Sequence, residues 1–161
     1  MAAFRDLAIR FVIGAAIAVV GGTAVLAILA RIVKSPTNLG ARGGKLALCP
    51  NSPNCVSTQS QDARHQISPI PYTTSLAEAK TTLVHIIHSM ERTKIIVDEP
   101  TYVHAEFRTM GIGYVDDVEL YFDQEARIIH FRSSSRLPYW DWDVNRKRME
   151  GIRTAFEATE E

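Results

Sequence analysis

The sequence predicts an α+β protein: an N-terminal transmembrane helix, then a four-stranded antiparallel meander, with a preceding helix and a C-terminal helix packed on one face. Three observations predict it. Residues 11–30 run uncharged for a full bilayer thickness, two later segments carry apolar residues at helical spacing, and four short segments between them alternate at period two.

The membrane anchor, residues 1–32, comes first. From Phe11 to Ala30 the chain is rich in Ala, Val and Ile, and Arg10 and Arg31 stop the run on both sides. At about 1.5 Å per residue a helix of this length crosses the roughly 30 Å hydrocarbon core. A buried core helix would be shorter and would show a polar face. A cleaved signal peptide is the stronger rival, but no small-x-small site follows directly, and Leu48 before Cys49 is unlike a lipoprotein signal. Gly14, Ala18 and Gly22 recur every fourth residue, a ridge on which another membrane helix could pack.

The charge distribution agrees with an anchor and a head. Residues 1–45 hold six basic side chains and one acidic, a net +5; residues 46–161 hold twelve basic and seventeen acidic, a net −5. An acidic folded domain excludes nucleic acid as the expected partner. Which side of the membrane holds the domain is open: Arg31, Lys34, Arg42 and Lys45 favour a cytoplasmic head by the positive-inside rule, whereas a bonded Cys49–Cys55 pair would need an oxidising side.

Residues 33–45 read as a polar, Gly-containing linker, and residues 46–161 as one small domain. Prolines at 50, 53, 69 and 71 argue for coil at its start. Ser75 and Glu78 then form a capping box ahead of Leu76, Ala79, Leu83, Ile86, Ile87 and Met90 at helical spacing. Four strands follow: Lys94–Asp98, Tyr102–Arg108, Val115–Phe122 and Arg127–Ser134. A four-residue loop between Phe122 and Arg127 would set Leu120 opposite Ile129 and Val118 opposite Phe131. On the other face Glu119 would meet His130, and Asp117 would meet Arg132. That face is expected to be charged and partly solvated. The last helix spans about Val144–Ala158, capped by Asp143 or Asn145, with Met149, Ile152 and Phe156 as its apolar stripe.

Three stretches, CPNSPNCVSTQ (49–59), YVDDVELYF (114–122) and FRSSSRLPYWDWDVNRKRME (131–150), resemble in order the motifs of domain-of-unknown-function family 1499. The resemblance covers residues 46–161 and implies no activity, since the family is named for having none assigned. Pro138 and Asp143 stand where the family has Gly, which puts in doubt any ligand site that depends on the turn into the last helix.

Candidate sites follow from residue type. Arg132, Ser133, Ser135, Arg136, Asn145 and Arg146 could form an anion pocket for phosphate, carboxylate or a lipid head group beside a helix N-terminus. The same groups could instead tie strand to helix through Asp116, Asp117 and Asp141. Asp116, on the apolar face, requires polar partners, which Ser133, Ser135 or the N-terminus of the last helix could supply. Cys49 and Cys55 could close a disulfide loop; as metal ligands they are incomplete, and His85 with His88 lacks a third group, so no metal and no cofactor is assigned. A hydrolase built on Ser133 or Ser135 would need Asp116 joined to His104 or His130. Tyr139, Trp140 and Trp142 suit core packing, a partner-binding edge or a membrane interface. The leading expectation is a membrane-anchored interaction or accessory domain beside other membrane proteins and lipid. A small-anion or lipid-head-group module is the alternative, and a hydrolase or metal-dependent enzyme comes third.

Overall fold

The computed structural model describes residues 2–137 and 140–160. Helix α1 (Ala2–Ile32) is long and apolar enough to cross a membrane and packs on nothing over most of its length. Two short strands, β1 (Cys55–Ser57) and β2 (Ile70–Pro71), precede helix α2 (Leu76–Ser89). Strands β3 (Thr93–Glu99), β4 (Tyr102–Arg108), β5 (Val115–Asp123) and β6 (Ile128–Ser135) form the meander, and α3 (Val144–Glu160) closes the chain. The sheet runs β1-β6-β5-β4-β3, with β2 also on β6. Four antiparallel strands were expected; the sheet has six, because two short segments of the Pro-rich coil add to the free edge of β6.

Alternation places Val103, Ala105, Phe107, Val118, Leu120, Phe122, Ile129 and Phe131 under α2 and α3, where they meet Ala79, Leu83, Ile87, Met149, Ile152 and Phe156. The α2 capping box forms as expected, Glu78 N–H donating to Ser75 Oγ and Ser75 N–H to Glu78 Oε2. The β5–β6 register needs correction. Phe122 faces Ile129 and Leu120 faces Phe131, a shift of two residues that keeps every side chain on its expected face. The turn lies one residue later at both ends, because Asp123 stays in the strand and its carboxylate accepts from Ala126 N–H at 2.9 Å. Arg127 then takes a positive φ of 54°. In consequence Glu119 meets Arg132, not His130, and Asp117 lies opposite Ser134.

The stretch expected to be a linker lies on the sheet as an ordered strap. Gly40 N–H donates to Glu119 at 2.8 Å, and Arg136 Nη2 donates to Ser35 Oγ at 2.5 Å. Gln59 bridges Gly44 C=O and Leu46 N–H. Gly40 has φ +110°, and a Cβ on Gly44 (φ +74°) would stand 3.4 Å from the Tyr121 hydroxyl, so both positions suit glycine. The charged face expected to be partly solvated is therefore buried.

Candidate functional site

Two polar networks occupy opposite faces of the sheet. On the strap side, odd residues of β5 meet even residues of β4 and β6. Glu119, fully buried, accepts from Arg132 Nη1 (3.0 Å), the Tyr102 hydroxyl (2.9 Å) and Gly40 N–H. Burial and the Glu119 charge push the Tyr102 phenol far above its ordinary value, so it remains a donor. Asp117 accepts twice from Arg136, at 2.8 and 2.7 Å, and once from the His104 ring nitrogen at 2.8 Å. Burial alone would raise the Asp117 pKa; the hydrogen bonds from Arg136 and His104 outweigh it and hold the carboxyl below its usual range. Arg136 also reaches Glu106 at 2.6 Å, which Arg108 contacts from the rim.

On the helix side, Asp116 is paired with Arg148, whose guanidinium lies 4.7 Å from the centre of the Phe107 ring. Asn145 is the hub. It accepts from Ser133 Oγ and Arg148 and donates to Ser135 Oγ, Asp141 Oδ2 and Asn54 C=O. The cap on α3 comes from Asp141, which accepts from the N–H groups of Asp143 and Asn145, and not from Asp143 or Asn145 themselves. Trp142 and Asp143 have φ of 51° and 61°. The family's glycine thus falls at a left-handed position, which Asp occupies here at some cost. Pro138 and Tyr139 lie outside the described residues.

The six residues expected to make an anion pocket do not converge. Strand parity sends Arg132 and Arg136 to the strap face and Ser133, Ser135 and Asn145 to the helix face. Arg146 points elsewhere, donating to the carbonyls of Arg64 and Gln66. The acids already neutralise the bases on both faces. Asp116 takes Arg148 as its partner in place of Ser133 or Ser135. It is also separated by the sheet from His104, which pairs with Asp117 instead, and from His130, which contacts Thr58 Oγ1 at 3.1 Å, so the expected joining of Asp116 to a histidine does not occur. His85 and His88 are exposed, and no metal-ligating group of three or more occurs among the described residues. Cys49 and Cys55 are disulfide-bonded, and Asn54 within that loop receives Ser135 N–H. Gly14, Ala18 and Gly22 stand exposed on α1, with no neighbour within 4 Å of a Cβ at either glycine.

The three resembling stretches supply the helix-side network and half of the strap-side one: Asn54 and Cys55, the acids of β5, Arg132 and Arg136, and Asn145 with Arg148; Gly40 and the β4 residues Tyr102, His104 and Glu106 come from outside them. A model of the family described as "Protein of unknown function (DUF1499)" matches residues 45–156, more than half of the chain. The chain belongs to this family. The matched DUF1499 region begins within the strap and contains both networks except for the strap residues Ser35 and Gly40. No curated protein is significantly similar to the chain.

Two open grooves flank the DUF1499 networks. One, of about 470 Å³, runs between the strap and the β3–β4 edge and is lined by Leu39, Ala41, Ile96, Val97, Tyr102 and His104. The other, of about 520 Å³, lies at the far end of β4, where Arg92, Arg108, Lys147 and Arg148 surround Met90 and Met110. Parity along YVHAEFR (102–108) was the signal available for the strap-side partners, since it sets Tyr102, His104 and Glu106 on the face of Asp117 and Glu119.

Proposed function

We propose that this protein is a membrane-anchored accessory domain, retained beside other membrane proteins, with α1 as an uncleaved single span and the DUF1499 domain as a fixed interaction head. The observation that carries this reading is the strap. Residues 35–46 couple the anchor to the buried Glu119 and Arg136 network, so the head is held at a set position next to its helix. A domain that works alone on soluble substrate gains nothing from such fixation, whereas a subunit that presents one surface to a neighbour does. The Cys49–Cys55 bond supports an oxidising side for the head, against the basic excess after the span. The test is gentle-detergent purification of the tagged full-length protein, with mass spectrometry of co-eluting chains. A stoichiometric membrane partner is expected; isolation of the protein alone under several conditions overturns the reading.

The alternative, recognition of an anionic head group, is favoured by one observation only. Arg92, Arg108 and Lys147 border the groove of about 520 Å³. Stabilisation of the protein by phosphatidylglycerol over phosphatidylcholine, lost in Lys147→Glu, would support it.

A further inference from the structure

Four chain segments meet at one end of the sheet. Arg136, just past β6, donates to Ser35 of the junction with α1, and its own N–H donates to Val115 C=O at the start of β5. Ser135 N–H donates to Asn54 C=O of the disulfide loop. The β4–β5 turn and the β6–α3 turn leave from this same end. Outside α1, the large hydrophobic side chains exposed among the described residues are Leu48, Ile96, Met110, Trp140, Trp142 and Val144. Met110, Trp140 and Trp142 lie on these turns, Val144 opens α3 directly after the second of them, and Leu48 immediately precedes the disulfide loop. Met110 and Trp142 are 81 % and 72 % exposed. At the opposite end, the β3–β4 and β5–β6 turns carry Glu99, Pro100, Gln124 and Glu125, and no exposed large hydrophobic among the described residues.

This asymmetry coincides with the anchor. Three Cα–Cα steps, across Val33 and Lys34, take the chain from Ile32, the end of α1, to Ser35, a reach of at most about 10 Å. The interfacial layer on each side of a bilayer is about 5–8 Å thick. A helix ending at the hydrocarbon boundary therefore places the Ser35–Arg136 contact at head-group depth or just above it. Exposed tryptophans on a turn beginning at Arg136 are then within reach of the layer where indole rings partition, apolar body toward the chains and N–H toward the head groups. Lys147 and Arg108 line the same groove as Met110 and Val144, and cations beside such apolar side chains suit an anionic head-group layer.

We propose that this loop end of the domain docks on the bilayer, with Trp140 and Trp142 seated in the interfacial layer of the membrane that holds α1. The proposal rests on α1 being a retained span, and it adds a second, peripheral attachment that fixes the tilt of the head. The sequence contains two tryptophans, Trp140 and Trp142, so selectively excited tryptophan emission reports on this rim. Full-length protein in phosphatidylcholine nanodiscs carrying bromine near the head groups or deep in the chains provides the test. The expected result is blue-shifted emission with at least twofold stronger quenching by the shallow bromines, retained in Trp140→Phe and Trp142→Phe, each of which leaves one reporter. Insertion of α1 is scored separately on the same protein by resistance to alkaline extraction. Inserted protein whose tryptophans stay unquenched and open to aqueous acrylamide overturns the docking while leaving the anchor intact. Blue-shifted emission insensitive to bromolipid also overturns it, assigning the rim to a protein surface such as a second copy. Extractable protein with unquenched tryptophans removes both readings.

Discussion

Substituting Arg132 by Met should damage this domain far more than its position near the sheet edge suggests. Glu119 is fully buried and Arg132 nearly so, and the pair is joined at 3.0 Å. Removing the guanidinium leaves a carboxylate with only Tyr102 and the Gly40 amide as donors. Breaking one side of a buried pair costs about 3–5 kcal/mol, a large share of the roughly 5–15 kcal/mol that holds a domain together. With a urea m-value of about 1–3 kcal/mol per molar, the midpoint should fall by at least about 1 M. Adding Glu119→Gln should recover part of the loss, because a neutral amide tolerates burial and can still accept from Tyr102 and Gly40. Urea unfolding of the detergent-solubilised full chain, followed by far-ultraviolet circular dichroism, measures both. An Arg132→Met loss under about 1 kcal/mol, or a double variant no better than the single, would refute a desolvated pair.

Four further outcomes follow from other parts of the molecule. The His130 pKa is lowered by burial of the ring, with Asp123 opposing and Lys45 adding; the unfolded chain therefore takes up the proton first. Stability should be full above the unfolded value of about 6.5, fall as pH drops below it, and lose this window in His130→Asn, read from melting temperature against pH. Asp117, also lowered in the fold, should contribute a second loss below about pH 4, abolished in Asp117→Asn. The Cys49–Cys55 bond closes a separation of six residues, and loop-closure entropy makes it worth about 2 kcal/mol, readable as the difference in unfolding with and without reductant. Asp143→Gly should stabilise by about 0.5–1 kcal/mol, since Asp143 holds φ 61°, and the denaturation midpoint should rise without a change in slope.

Periodicity made the meander and both domain helices legible, because burial on one face imposes a period that survives any error in the turn. Register was not legible to the same degree. A shift of two residues preserves every face, and the Asp123 carboxylate bonding Ala126 N–H decided between the two alternatives. Strands β1 and β2 were invisible for a different reason. They contain three and two residues within a Pro-rich coil, and only pairing with β6 makes them strands. The strap was missed because its Gly-rich composition is also that of a flexible linker; its order comes from Glu119 and Arg136, distant in sequence. The division of the six candidate anion-binding residues between faces was already readable, since Arg132 and Ser133 are neighbours in a strand and point to opposite faces. The alternative, that the same residues tie strand to helix through Asp116, Asp117 and Asp141, holds for Asp116 and Asp141 on the helix side, whereas Asp117 bonds Arg136 on the strap side.

Retention of α1 in the mature protein underlies both the anchored head and the docked rim. Intact mass spectrometry of the protein extracted from carbonate-washed membranes tests this directly. A mass matching the full 17.9 kDa chain in the washed membrane is the predicted result. A species beginning after residue 32, released by the wash, would contradict it.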